Sequence, residues 1–226
     1  MAVKHAKILE KDQYTHLLKV VAKGEHPLRD EVTIKISFRC GLRPGEIAKL
    51  RWRNNILDAQ GKVGSVLRVT SDVSKRNVER DIPMPTDLQD ALRRLRARRP
   101  EDEFVFYALH NNVHPKVPAF TKRGEPIIDK ETGGQKMIPD PDWKPGGVRP
   151  NTVSQYFTRL YKSVKYDGCS GHSGRRTAIT VWCRKANTKN CSLRDVQDLA
   201  GHAFLDTTAT YIEPSPHQHR LVEEAW

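Results

Sequence analysis

Tyr211 stands nine residues after His202 (211 − 202 = 9), in the run Leu199-Ala-Gly-His202-Ala-Phe-Leu-Asp-Thr-Thr-Ala-Thr-Tyr211. Upstream lie His172-Ser-Gly-Arg175, then Lys75 in a polar stretch, then Arg43 in Gly41-Leu-Arg-Pro-Gly-Glu46. Arginines, histidines, a lysine and a tyrosine together are suited to holding a phosphodiester while a phenol attacks it. A guanidinium fork matches two phosphate oxygens and stays charged at any working pH. Fixed donors there stabilise the charge that develops during phosphoryl transfer. A tyrosine nucleophile forms a covalent ester that conserves the bond for resealing. A free phenol ionises only near about pH 10, so such a nucleophile needs cations close by.

The local chemistry of each group follows from its neighbours. Arg43 precedes a helix start, which itself favours an anion, and Glu46 three residues on can fix the Arg43 side chain. His172 and Arg175 are three apart and share a face if the segment is helical. His172 can take a proton from the tyrosine or donate to phosphate, and His202 can be a second donor to the same phosphate. Arg176 is adjacent to Arg175.

The 226 residues suffice for one sizeable core or two small ones. Net charge is +12 and the isoelectric point is near 9.7. An excess of this size draws a polyanion by releasing its counterions, so nucleic acid is the expected partner, ahead of an anionic membrane surface. Mean hydropathy is −0.66, and without a long apolar run no membrane partner is expected. No signal-peptide pattern is present; a cytoplasmic location is expected, at the nucleoid when DNA is bound. Cys40, Cys169, Cys183 and Cys191 form no close pair, so neither a disulfide framework nor a zinc ribbon is expected. Clusters with metal-ligand spacing and a Gly-rich phosphate loop are both missing. No metal and no cofactor are expected.

Periodicity predicts the elements that position these groups. An amphipathic helix runs from Ile8 to Val21 and stops by Gly24. A second runs from Asp30 to Arg39. Pro44 suits the first turn of a third, ending near Trp52. Residues 63–70 and 80–83 read as strands, joined by the polar turn 71–79. Thr86 or Asp87 caps a helix with Leu88, Leu92 and Leu95 on one face and Arg93, Arg94, Arg96, Arg98 and Arg99 on the other. That basic face is either solvated or a phosphate contact. Residues 111–150, rich in Pro and Gly, read as a loop or hairpin insertion. Helices follow over 151–164, 174–186, 192–200 and 207–212, and a tail carries Leu221, Val222 and Trp226. The fold class is therefore mainly α with a small antiparallel β-sheet (α+β).

The order of these motifs, from about Ile8 onward, resembles the tyrosine recombinase family, which includes the phage integrases. Gly41-Leu-Arg-x-x-Glu-x-x-x-Leu-x-Trp52 is similar to its first arginine motif. The resemblance implies a single catalytic domain over 1–226 with six catalytic residues: Arg43, Lys75, His172, Arg175, His202 and Tyr211. It selects Arg175 over Arg176. It also selects Lys75, counting back from the Glu79-Arg80-x-φ-Pro83 strand, as the general acid for the 5′-oxygen leaving group, with Arg76 as the alternative. It implies metal-independent cutting and rejoining of double-stranded DNA through a 3′-phosphotyrosine, by a homotetramer on two DNA sites that exchanges strands through a Holliday junction. The family commonly has Leu where Gly174 stands. Most members carry an N-terminal core-binding domain, and this chain starts roughly where their catalytic domain starts. The tail after Tyr211 is expected to dock on a neighbouring protomer. A type IB topoisomerase uses similar residues to relax DNA, and a catalytically silent DNA-binding module would share the charge. A relaxation assay and an adduct trap distinguish these alternatives.

Overall fold

A computed structural model describes residues 6–74, 78–107, 116–139 and 147–212. Lys75 and Arg76, the edges of the 111–150 segment, and the tail with Leu221, Val222 and Trp226 lie outside the described residues. The described residues form eight α-helices and two small antiparallel sheets, the mainly helical α+β class expected.

Helix α1 spans Lys11–Val21. Its N-terminus is closed reciprocally by Glu10 and Gln13, whose Oε1 accepts the Glu10 N–H at 3.0 Å. Ile8 and Leu9, expected inside this helix, precede it. Leu9 is buried, and its N–H donates to Thr177 Oγ1 at 3.0 Å. Helix α2 spans Pro27–Arg39, starting before the expected Asp30 because Pro27 presets the first turn. It packs against α1 and three later helices, and buries nine of its 13 residues.

Helix α3, Pro44–Lys49, is shorter than the sequence predicts. The chain turns extended at Leu50, whose carbonyl accepts the Val105 N–H at 2.9 Å, and continues as a π-helical turn over Trp52–Ile56. Asn55 explains the departure. Its Oδ1 accepts the Arg51 N–H at 2.7 Å, and its Nδ2 donates to the Arg68 carbonyl at 2.8 Å. Backbone pairing with the 103–105 segment and a buried amide thus outweigh helix continuation.

Strands β1, Val66–Val69, and β2, Arg80–Pro83, pair antiparallel with Leu67 opposite Ile82 and Val69 opposite Arg80. Val63, expected in the first strand, instead bridges Leu57. The period-two pleat turns Leu67, Val69, Arg80 and Ile82 inward. The base of the connecting turn is clipped where Ser71 N–H donates to Glu79 Oε1 at 3.1 Å.

Helix α4 spans Thr86–Arg98 with Leu88, Ala91, Leu92 and Leu95 buried. Neither Thr86 nor Asp87 caps it. Pro85 takes the cap position with extended backbone, and the Asp87 carboxylate faces Lys35 and Arg39 at 3.5 and 3.6 Å. The basic face is largely internally paired: Arg93 with Asp90, Arg94 with Glu31, Arg99 with Asp102, and Arg96 with the Asp102 carbonyl. Residues 116–139 fold on themselves. Strands β3, Lys116–Pro118, and β4, Met137–Pro139, close antiparallel, with Asp129 holding the inner turn by accepting the N–H groups of Glu131 and Thr132 at 3.0 Å.

Helices α5 (Pro150–Ser163), α6 (Ser173–Ala186), α7 (Leu193–Ala200) and α8 (Leu205–Ala209) complete the described chain. Ser192 caps α7 by accepting the Asp195 N–H. Helix α5 packs on α3, and α6 on α2. The main core unites α1 to α5 with the β1–β2 sheet. A small second core, Ile179, Ala186, Val196 and Ala200, joins α6 to α7 and carries Tyr211 on its edge.

Candidate active site

Arg43 sits where the chain enters α3, so the helix start fixes its backbone while the side chain stays partly open. Glu46, one turn on, grips it twice. Its Oε2 accepts the Arg43 N–H at 2.9 Å, and its Oε1 accepts Arg43 Nη1 at 2.9 Å. Arg80 reaches the same carboxylate from β2, donating Nη2 to Glu46 Oε2 at 2.8 Å, while its Nε donates to the Leu199 carbonyl at 3.1 Å. Burial alone would raise the Glu46 carboxyl. The Arg80 guanidinium, the Arg43 N–H and the Arg43 charge outweigh it and hold the group below the ordinary carboxylate range. The sequence alone assigns Arg80 no role beyond its place in the strand.

Arg175 emerges from the first turn of α6, with its side chain buried. Nη1 donates to the Gly41 carbonyl at 2.7 Å, and Nη2 donates to the Ala200 carbonyl at 2.7 Å. Nη2 also meets His202 Nε2 at 3.0 Å. One guanidinium therefore ties the Gly41 turn, the end of α7 and His202 together. Burial and the neighbouring Arg43 charge pull its pKa down to about 10, so it remains a cation at neutral pH.

His202 follows Gly201, which ends α7 with φ +63°, a left-handed backbone that favours glycine. A Cβ at Gly201 would lie 3.0 Å from Arg80 Nη1, so the close approach of Arg80 also favours glycine. The His202 carbonyl accepts Gln197 Nε2 at 2.8 Å, and its Nδ1 lies 2.9 Å from Thr208 Oγ1. The Tyr211 ring stacks on the His202 ring, centroids 5.7 Å apart at 23°. The sequence predicts Tyr211 inside a helix over 207–212. Instead α8 ends at Ala209, and Tyr211 occupies the following turn, its N–H donating to the Thr208 carbonyl at 3.0 Å. The brevity of α8 frees the ring to lie over His202.

A cavity of about 350 Å³ joins Arg43, Ser74, His172, Arg175, Arg176, His202 and Tyr211. Five of the six residues expected from the sequence thus share one cavity, and the sixth, Lys75, follows Ser74 outside the described residues. His172 is exposed at the entry to α6, its N–H donating to Ser170 Oγ at 3.3 Å. Glu46 stands behind Arg43 as expected from the three-residue spacing. Arg176, passed over in favour of Arg175, lines the cavity too, its guanidinium carbon 5.7 Å from the Tyr211 ring centroid. Such an arrangement can hold an anion between fixed cations with a phenol beside it. Among the described residues no three His, Cys, Asp or Glu side chains gather as metal ligands would. None of the described helices is long and apolar enough to cross a membrane.

The model of the phage integrase family matches residues 7–218. No curated protein sequence matches the chain significantly. Among solved structures, the XerA recombinase is 16% identical with a TM-score of 0.60, the match covering 100% of this chain and 65% of that one. The Tn1549 transposon integrase in complex with circular intermediate DNA is 18% identical with a TM-score of 0.62, covering 100% and 68%. A lambda integrase dimer bound to a COC′ core site is 16% identical with a TM-score of 0.58, covering 94% and 49%. The chain thus spans under two thirds of the XerA and lambda chains. A fold common to these recombinases and a family match over most of the sequence lead to one assignment: the chain belongs to the phage integrase family, the tyrosine recombinases.

Proposed function

We propose that this protein is a site-specific recombinase that cuts and rejoins double-stranded DNA through a 3′-phosphotyrosyl intermediate on Tyr211. The observation that carries the reading is the stack of Tyr211 on His202, with His202 at 3.0 Å from the buried Arg175, in the cavity that Arg43 also lines. Arg43 and Arg175 flank the space for the scissile phosphate and neutralise charge on its non-bridging oxygens. Tyr211 gives its phenol proton to His172 and its Oη attacks phosphorus; a new O–P bond forms, and the bond to the 5′-oxygen breaks. Lys75, or Arg76 beside it, protonates that oxygen. Rejoining is the reverse, with a 5′-hydroxyl displacing the phenol. The net charge of +12 supplies general attraction to the duplex. Several related structures hold DNA, among them the Tn1549 and lambda integrases. By family analogy four protomers assemble on two sites, and the chemistry needs no metal.

The test is covalent trapping. A pool of randomised duplexes, nicked so that the cleaved end diffuses away, is mixed with the protein in EDTA and resolved under denaturing conditions. Wild type should leave a protein–DNA adduct, and Tyr211→Phe should bind the pool equally but leave none. Adduct at wild-type level in Tyr211→Phe removes the nucleophile assignment, and strict dependence on magnesium removes the metal-free mechanism. Relaxation of supercoiled plasmid without joining of two sites would favour a topoisomerase.

A further inference from the structure

We infer that Arg176 is a positioning residue: its guanidinium holds the ring of Tyr211 in the cavity, on the side of His172, before the phenol attacks. The inference rests on the recombinase reading above only for its kinetic arm.

Little else fixes that ring. Helix α8 ends at Ala209, so Tyr211 lies in the turn beyond it, tied through its backbone N–H to the Thr208 carbonyl at 3.0 Å. Its side chain touches the small second core and stacks on His202, and its ring centroid lies 5.7 Å from the Arg176 guanidinium carbon. Among the described residues no hydrogen bond forms to the Tyr211 hydroxyl. A guanidinium over an aromatic face, within about 6 Å, is attracted by the quadrupole of the ring. The attraction grows as the pair is desolvated, and Arg176 is half-buried. A planar guanidinium stacks on such a face better than a compact ammonium does.

The two adjacent arginines point to different partners. Arg175 turns inward, donating to the Gly41 and Ala200 carbonyls with its Nη2 against His202. Arg176 has no carboxylate partner among the described residues, and it lines the cavity with its guanidinium toward Tyr211. Its backbone N–H donates to the His172 carbonyl at 2.9 Å, so Arg176 and His172 are neighbours across one helical turn. A phenol held at Arg176 is therefore held on the side of the cavity where His172 can take its proton. Holding a nucleophile near its line of attack lowers the barrier to reaction, and it leaves the contacts that bind the duplex unchanged.

Arg176→Gln removes the cation and keeps a polar side chain. The full chain carries ¹³C-labelled tyrosine rings, and Tyr211 is identified by the signal lost in Tyr211→Phe. Without DNA, wild type should show cross-relaxation between the Tyr211 ring protons and the methylenes of one arginine. In Arg176→Gln that contact should vanish, and the Tyr211 ring signals should move toward those of free tyrosine. On the duplex recovered by adduct trapping, Arg176→Gln should slow single-turnover cleavage roughly 5–30-fold, the rate equivalent of one half-buried cation–π contact. Half-saturating DNA should change less than about twofold, since uniform binding is untouched. Arg176→Lys should recover part of the rate. A neutral methylphosphonate at the scissile position separates positioning from neutralisation of phosphate charge. Against wild type on the same duplex, the Arg176→Gln defect should persist. Absence of the arginine contact in wild type, unchanged ring signals in Arg176→Gln, cleavage by that variant at wild-type rate, a loss confined to DNA affinity, or rescue by the methylphosphonate would each overturn the inference. The ring spectra need no cleavage, so a failure of Tyr211 as nucleophile is read separately from a failure of Arg176.

Discussion

Arg80 and Glu46 form an ion pair at 2.8 Å whose side chains are only 4% and 2% exposed. The pair joins strand β2 to helix α3 across 34 residues of sequence. Arg80 also donates to the Leu199 carbonyl, so the sheet, the Arg43 segment and the end of α7 meet at one guanidinium. Removing one partner of a buried pair leaves the other charge poorly compensated, which costs about 3–5 kcal/mol in typical cases. Arg43 still faces Glu46, so Arg80→Met should fall toward the lower end, about 3 kcal/mol. Arg80→Lys keeps the charge, but its point-like ammonium cannot span both acceptors, and it should lie between. Urea unfolding midpoints check the order; equal midpoints for wild type and Arg80→Met would refute it.

The same carboxylate predicts an acid limb of stability. Glu46 has its native pKa held below its ordinary value of 4.5. It therefore binds fewer protons folded than unfolded, and stability rises with pH across that window. The contribution is complete above about 4.5 and is lost as pH falls through the native value. Glu46→Gln should flatten that part of the stability curve while lowering the plateau near neutrality. The measurement is chemical unfolding at a series of pH values from neutral downward. An acid limb of the same slope in the variant would assign it to other carboxylates.

Gly174 makes a prediction against helix propensity. An exposed Gly-to-Ala change inside a helix stabilises by about 1 kcal/mol. Here α6 presses on α2, and a Cβ at Gly174 would lie 2.9 Å from Phe38 Cδ2 and closer still to Ser37 Oγ. Gly174→Ala should therefore destabilise, by roughly 1–3 kcal/mol as for other overpacked sites. Gly174→Leu, with a larger side chain, should do so more. Thermal unfolding decides the sign: a higher midpoint for Gly174→Ala would mean the two helices can part without cost.

What the sequence made legible was local. The apolar stripe of α4, the strand at Arg80–Pro83 and the short helix α7 each rest on neighbours within a few residues. Arg43, Arg175, His202 and Tyr211 could be picked out because each sits in a short run, and the structure brings these runs to one cavity. The parts that escaped depend on distant partners. Helix α3 stops early because Leu50 pairs with Val105 and Asn55 with Arg68. Arg80 acquires its place from Glu46 and Leu199, the latter 119 residues away. Thr208 is one polar residue among several until the ring above it is located. Periodicity reports which face is buried, and it carries no information about which buried polar groups will meet.

Lys75 gives the sharpest chemical test, because in sequence it directly follows Ser74, which lines the cavity. A general acid matters only while the leaving group needs a proton. An alkoxide leaves poorly without one, whereas a thiolate leaves unaided. Lys75→Ala should cleave ordinary DNA slowly, by a factor of about 10²–10⁴, the usual range for lost acid catalysis. On DNA with sulfur replacing the bridging 5′-oxygen at the scissile position, the same variant should approach the wild-type rate. Arg43→Ala should stay slow on both substrates, since its proposed charge acts on the non-bridging oxygens whichever atom departs. Arg76→Ala separates the neighbouring candidate. If it is the variant that recovers on the sulfur substrate while Lys75→Ala does not, the acid is Arg76. If neither recovers, the proton reaches the leaving oxygen from a group outside this turn.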